Sequence, residues 1–324
     1  LRFSVQLDMR NLEQKPVKTV FLGSSWESVE TLKSLDEDVR FDIVGVITTV
    51  DKPVGRDQVM TPSEVKQYAL NNDIEVFHTE KEDERYREAL DIFNPELIVC
   101  KAFGEIVPEF FIEYPKYKAI NVHFSLLPKY RGAVPIQKAI LEGDKETGIS
   151  IMLMSKGLDE GDILKQYKED IFPKDTNLSL RQRLVKKSSE ILGDVLEEWV
   201  QEGIVLEKQD DSKATYCWQK DISKDNAQID WENMGPEYIE RMVRAFIPWP
   251  IAWTTWNEKR VKLFDVDLVN CSSKRSPGEL FIDNDRLLFA TQDNNTCLEV
   301  NRLQIAGKQE MCAQEFINGF RHSL

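Results

Sequence analysis

Asn121 and His123 stand two residues apart at the end of AINVHF, a run apolar enough to form a buried strand. Residues two apart on a strand share a face, so an amide donor and an ionisable imidazole would point at one place. Such a pair can reach a single carbonyl oxygen and suits the oxyanion that develops during acyl transfer. An imidazole in that role needs a carboxylate to orient it and compensate its charge. The later segment SKGLDEGDIL, following the run ISIMLM, offers two, Asp159 and Asp162. By type and spacing alone, an Asn-x-His pair serves equally well as ordinary strand structure.

Bringing these residues together requires a sheet. From Lys18 the chain alternates apolar runs with amphipathic stretches: KTVFLG, a helical stretch to Leu35, FDIVGVITT, a helical stretch over residues 62–72, then PELIVCKAFG and YKAINVHF. That alternation marks parallel βαβ units, and the two last runs are apolar enough to be central strands buried on both faces. The expected fold is α/β, with a doubly wound, mostly parallel sheet whose ligand crevice lies at the carboxyl ends of its strands. Leu180, Leu184, Ile191, Val195 and Trp199 recur at helical spacing and predict a long helix over about residues 178–201. Beyond a polar connector at 204–220 and a short helix over 236–246, short alternating runs separated by turn residues predict a small antiparallel barrel.

Length and composition agree. The chain has 324 residues, 41% hydrophobic and 30% charged, enough for two globular domains. Its apolar runs fall far short of the roughly 20 residues that span a bilayer, so no membrane association is expected. Residues 1–16 mix Arg2 and Arg10 with Asp8 and Glu13 and form an extension that fits neither a secretory signal nor a typical transit peptide. Five cysteines without close pairing and three histidines predict neither a disulfide framework nor a metal site, and a reducing compartment is the default. A net charge of −14 argues against nonspecific nucleic-acid binding, although it leaves room for one defined partner held by a local basic patch. Phe246, Pro248, Trp249 and Trp253 read as core at a domain entry rather than as a base-stacking platform.

NVHFSLLPKYRG, followed at matching distance by GDKETGISIMLMSKGLDEGDIL, resembles the catalytic core of the 10-formyltetrahydrofolate-dependent formyltransferases. The resemblance implies that Asn121, His123 and Asp159 are catalytic and Asp162 structural. It also implies that 10-formyltetrahydrofolate is the co-substrate, with no metal. The folate would dock near Ser125, Leu126, Leu127 and Pro128, with main-chain groups of Phe103, Gly104, Glu105, Ile106 and Val107 around the pterin. On the residues alone, SLLP reads as a turn after a strand.

VDKPVGRDQVMTPSEVKQYA, DISKDNAQIDW, VRAFIPWPIAW and LQIAGKQEMCAQEF are similar, in order and spacing, to the branch of that family whose acceptor is initiator methionyl-tRNA. The similarity runs over about residues 17–319. It implies a formyltransferase domain at 17–203, a linker at 204–220 and an OB-like, tRNA-binding barrel at 221–324. An insertion loop at 51–60 would meet the acceptor end of the tRNA through Lys52 and Arg56. This loop carries Asp57, Gln58 and Val59 where a glycine and basic residues are common in the family. Lys259, Arg260 and Lys262, on a hairpin of the barrel, and Lys308 are the remaining candidate contacts, although a surface lysine is as often simply solvated. The first βα turn reads GSS in place of the family's GTP, and Gln309 stands where a second lysine is usual. A monomer without an obligate protein partner is expected, in a bacterial cytoplasm or, for a eukaryotic source, a mitochondrion or plastid. The nearest alternative, favoured by the acidic charge, is the same chemistry on an amino sugar nucleotide. A binding module without catalysis gains no support, since all three chemical residues are present.

Overall fold

The computed structural model describes residues 15–55, 57–80 and 82–321. Residues 1–14 of the extension expected at 1–16, and Arg56, lie outside them. The first part of the chain runs β1 (Val17–Gly23), α1 (Trp26–Asp36), β2 (Phe41–Ile47), β3 (Lys52–Val54), β4 (Val59–Thr61), α2 (Glu64–Asn71), β5 (Val76–Phe77), α3 (Asp83–Phe93), β6 (Leu97–Lys101), α4 (Glu109–Glu113) and β7 (Ala119–His123). It continues through β8 (Arg131–Gly132), α5 (Pro135–Glu142), β9 (Glu146–Leu153), β10 (Ile163–Asp170), α6 (Asn177–Val200) and β11 (Tyr216–Cys217). The last part holds α7 (Pro236–Ala245), β12 (Trp253–Trp256), β13 (Lys259–Asn270), β14 (Leu280–Asp283), β15 (Arg286–Ala290), β16 (Thr296–Ile305), β17 (Met311–Cys312) and α8 (Ala313–Phe320).

Seven strands form one sheet in the order β10-β9-β7-β6-β1-β2-β5. The β1–β2, β1–β6, β2–β5 and β6–β7 pairs are parallel, which bears out the α/β fold class. The apolar run LIVCK gives a β6 buried at all five positions, as a central strand covered on both faces must be. Chain compactness divides the protein into two units, one taking in the chain up to His123 with 151–165 and 185–209, the other 124–150, 166–184 and 210–324.

In the first unit, Val20, Leu22, Ile98, Cys100, Tyr86, Leu90, Phe93 and Phe111 belong to one apolar cluster that clamps α3 and α4 onto the sheet. Helix and strand approach so closely that a Cβ on Gly45 would lie 2.3 Å from the Phe93 ring. Ser25 and Ser28 form a capping box that starts α1, and Asn94 ends α3 in the left-handed region at φ 41°. The insertion at 51–60 is more ordered than a loop: β3 and β4 pair as an antiparallel hairpin whose six strand residues are all exposed.

In the second unit, β12-β13-β16-β15-β14 pair antiparallel, with β17 beside β16. The predicted barrel takes the form of a curled half-barrel, and β13 bends at irregularities between Leu263 and Val266. Asn257 and Glu258, with φ of 47° and 61°, make the tight turn between β12 and β13. Trp256, Phe316 and Phe320 form a ring cluster that seats α8. The predicted helices at 178–201 and 236–246 are α6 and α7.

Three expectations need correction. Cys271 and Cys297 form a disulfide, with Cα atoms 5.8 Å apart, where the sequence predicted none. They are 26 residues apart, and only the pairing of β13 with β16 makes them neighbours. The polar connector is partly pinned, since β11 pairs with β8 and Cys217 is fully buried. Of the aromatic group read as core, Phe246 is buried but Trp249 is 45% exposed.

Candidate active site

β7 lies between β6 and β9 in the first sheet, and its alternation sends Asn121 and His123 to one face. The carboxylate arrives from another part of the chain. β9 passes on beside β7, where Met154 N–H donates to the Ala119 carbonyl at 2.7 Å, and the chain then turns through residues 155–162. Leu153 N–H donates to the Asp162 carbonyl at 2.9 Å and closes this loop at its base. Asp162 therefore contributes its main chain to the closure.

Asp159 sits near the loop's tip with φ of 53°, a left-handed conformation that Asp tolerates better than most residues. It faces both β7 side chains. Asn121 Nδ2 donates to Asp159 Oδ1 at 3.4 Å, and His123 Nδ1 stands 3.6 Å from Asp159 Oδ2, a charge contact longer than a hydrogen bond. The His123 and Asp159 side chains are 7% and 12% exposed.

Two residues that the sequence did not single out hold the Asp159 loop. Gln209 Nε2 donates to the Asp159 carbonyl at 2.8 Å and to the Gly161 carbonyl at 2.7 Å. Its own position is set by the reciprocal main-chain bonds between Ile163 and Glu207, at 2.8 and 2.9 Å. Gly161 lies so close to β9 that a Cβ there would stand 1.8 Å from the Leu153 carbonyl oxygen. Its glycine is a steric requirement.

Cys100, paired in register with Asn121, is the thiol nearest this chemistry. Burial pushes it up to about 12, the Asp159 carboxylate adds to the rise, and Lys101 opposes it.

The segment at 103–107 turns away from the end of β6. Ser24 Oγ donates to the Phe103 carbonyl at 3.2 Å, and Thr79 Oγ1 donates to Glu105 Oε2 at 3.0 Å. Gly104 has φ of 81° with open space around it, and Ile106 is 92% exposed. A cavity of about 660 Å³ is lined by Asp83, Gly104, Glu105, Ile106 and Pro108; Val107 is half-buried beside it in sequence.

Residues 125–128 belong to the second unit and are tightly held there. Ser125 Oγ donates to the Lys129 carbonyl at 2.6 Å. Leu127 N–H donates to Ser150 Oγ at 3.1 Å, and Gln166 Nε2 donates to the Leu127 carbonyl at 2.9 Å. The Leu127–Pro128 peptide is cis, and Leu126 is half-buried.

The basic candidates fall into two groups. Lys52 is exposed at the base of the β3–β4 hairpin in the first unit. In the second unit, Lys259, Arg260 and Lys262 open β13, and register places Val261 opposite Ile305, three residues before Lys308. Lys259, Arg260 and Lys308 are exposed, and the Arg260 guanidinium lies 3.9 Å over the Trp253 ring. Among the described residues, no group of three or more His, Cys, Asp or Glu is placed to hold a metal ion. No helix of the described residues is long and apolar enough to cross a membrane.

An amide, an imidazole and a carboxylate at the carboxyl edge of a parallel sheet can polarise a carbonyl and steady the charge that forms on it. With a second, antiparallel unit attached, this is the equipment of an acyl-group transferase of the α/β class. The family models agree: residues 17–196 match the formyl transferase model and 221–321 the formyl transferase C-terminal domain model. The methionyl-tRNA formyltransferase of Halalkalibacterium halodurans is 41% identical over 305 residues, 94% of this chain and 95% of that protein. That of Bacillus licheniformis is 38% identical, over 93% of this chain and 95% of its own length. The chain belongs to the formyl transferase family, among the methionyl-tRNA formyltransferases. Its fold is shared with two solved structures, each 22% identical. WlaRD, a sugar 3N-formyl transferase, has a TM-score of 0.63 over 90% of this chain and 99% of its own. The N-formyltransferase of Helicobacter canadensis has a TM-score of 0.65 over 88% and 99%.

Proposed function

We propose that this protein moves the formyl group of 10-formyltetrahydrofolate to the α-amino group of initiator methionyl-tRNA and so makes N-formylmethionyl-tRNA. The observation that carries the reading is the meeting of Asn121, His123 and Asp159 at the sheet edge, in a chain that matches methionyl-tRNA formyltransferases along nearly its whole length.

The reaction forms a bond from the amine nitrogen to the formyl carbon and breaks the bond from that carbon to the folate nitrogen. The amine is the nucleophile, so the protein's work is orientation and charge stabilisation. Asn121 and His123 bind the developing oxyanion. Asp159 orients His123 and helps pass the amine proton toward the leaving nitrogen. Main-chain groups of residues 103–107 border the folate ring; residues 125–128 supply the further folate contacts that the family resemblance implies.

Residues 17–203 act as the catalytic domain and 221–324 as the acceptor-binding domain, joined by 204–220. Lys52, Arg56, Lys259, Arg260, Lys262 and Lys308 meet tRNA phosphates. Such local patches reconcile a net charge of −14 with a nucleic-acid substrate. The protein works as a monomer in the cytoplasm, where charged tRNA and reduced folate are found.

The test is formylation of charged initiator and elongator tRNA with 10-formyltetrahydrofolate, run across a salt series, with a 4-amino sugar nucleotide as a third acceptor. Preferential formylation of the initiator, weakening as salt rises, is expected. Formylation of the sugar nucleotide alone would overturn the reading.

A further inference from the structure

Lys101 ends β6 and, although a lysine, is among the largest fully buried side chains of the described residues, only 1% exposed. The β6–β7 ladder pairs Ile98 with Ala119, Val99 with Ile120 and Cys100 with Asn121. The next step would set Lys101 beside Val122. On the β6 side a side chain extends the hold, with Lys101 Nζ donating to the Val122 carbonyl at 3.1 Å in a buried hydrogen bond. The lysine's own main chain is tied down as well, since Ser28 Oγ donates to its carbonyl at 2.5 Å.

Val122 lies between Asn121 and His123 and faces the opposite side of the sheet. Its carbonyl belongs to the peptide plane from which His123 projects. β9 flanks β7 on its other edge, and on the β6 side the lysine adds a hold on this plane, and with it on the direction of the imidazole. Lys101 therefore fixes the end of β7 from behind, without touching the reacting atoms.

We infer that Lys101 is a positioning residue for formyl transfer, holding the Val122–His123 peptide so that Asn121 and His123 face the reacting carbonyl. The inference rests on the function proposed above. A displacement of about 1 Å at a reacting centre can cost about 10²-fold in rate. Loss of the lysine's hold should thus appear in turnover rather than in substrate binding.

The experiment is a double-mutant cycle on formyl transfer to charged initiator tRNA, with the wild type in parallel. Lys101→Met keeps the side-chain length and removes the ammonium. It should lower kcat about 10- to 100-fold and leave KM for both substrates within about twofold. In a His123→Ala background the same change should cost several-fold less than in the wild type, because only Asn121 is left to be positioned. Should Lys101→Met not fold, Lys101→Gln is read through the same cycle. Wild-type kcat in the lysine variant overturns the inference, and so does an equal loss in both backgrounds, which would mark a general structural role. A wild type unable to formylate the tRNA would instead sink the function proposed, so the two failures are told apart.

Discussion

Asn121→Ala removes the amide donor and leaves the apolar frame of β7 in place. Asn121 is half-buried, and Nδ2 reaches Asp159 Oδ1 at 3.4 Å, beyond the usual range for an N–H···O bond. An amide so loosely committed is redirected to an oxyanion at little cost, so most of what it contributes falls in the transition state. Loss of one such donor typically lowers turnover about 10²–10³-fold, or about 2.7–4 kcal/mol. The ground state should hardly change. A single hydrogen bond contributes about 1 kcal/mol at most cases' centre, which for a domain of this size moves the melting temperature by about 2–4 °C. The assay is single-turnover formylation with enzyme in excess over charged initiator tRNA, alongside folate binding by fluorescence. Turnover should fall at least about a hundredfold while folate affinity stays within about twofold. Wild-type turnover, or a loss of folate affinity as large as the loss of rate, would refute the oxyanion role.

Gly161→Ala would place a Cβ 1.8 Å from the Leu153 carbonyl oxygen, so the loop bearing Asp159 must move; kcat should drop about tenfold or more with little change in the melting temperature, and unchanged kcat would contradict the close approach. Asp175 is buried, which alone would raise its pKa, but bonds from Arg183, the Phe172 N–H and the Ser179 hydroxyl outweigh this and hold it below the ordinary range. A carboxyl lowered by folding stabilises the protein above its unfolded pKa, about 3.9, and loses that contribution as pH falls through the lowered value. The stability gap between wild type and Asp175→Asn should accordingly be widest near neutrality and close below about pH 4 in urea titrations; a gap independent of pH would exclude the charge as its source. Reducing the Cys271–Cys297 bridge, which spans 26 residues, should destabilise the second unit by about 3 kcal/mol. Dithiothreitol should lower the melting temperature of the wild type and leave Cys271→Ser unmoved.

What could be read from the sequence divides along physical lines. The runs LIVCK and AINVH are apolar enough to announce central strands, and the spacing of Leu180, Leu184, Ile191 and Val195 announces α6, because burial writes itself into periodicity. The β3–β4 hairpin buries nothing, so no hydrophobic pattern marks it, and its order comes from local pairing alone. Asn121 and His123 could be paired on paper since both lie on one strand. Attaching Asp159 to them needed the resemblance, because the contact depends on where a loop after a different strand returns. Gln209 carries no signal at all: it lies in a polar stretch, and its importance comes from an isolated two-bond bridge between Ile163 and Glu207. Lys101 is the reverse case, a visible oddity, since a lysine at the end of a strand buried on both faces asks what it is bonded to. The Cys271–Cys297 bridge was hidden because no spacing rule links residues joined only by strand register.

The placement of Cys100 bears on the route of the reaction. Its register with Asn121 would recommend it as a covalent carrier of the formyl group, attacking first and passing the group on. The thiolate is the reactive form, and burial together with the Asp159 carboxylate drives the thiol up to about 12. At neutral pH only about one molecule in 10⁵ would then carry the thiolate. The carboxylate that faces His123 is thus the same group that helps silence the adjacent sulfur. A site built this way favours direct attack by an amine that arrives already nucleophilic, and the protein's contribution reduces to where its donors point. The local structure is consistent with that demand: Gln209 holds both carbonyls flanking the turn at Asp159, and Lys101 holds the carbonyl preceding His123. Each of these bonds grips main chain rather than a reacting side chain, which fixes direction and leaves the side chains free to meet the substrate.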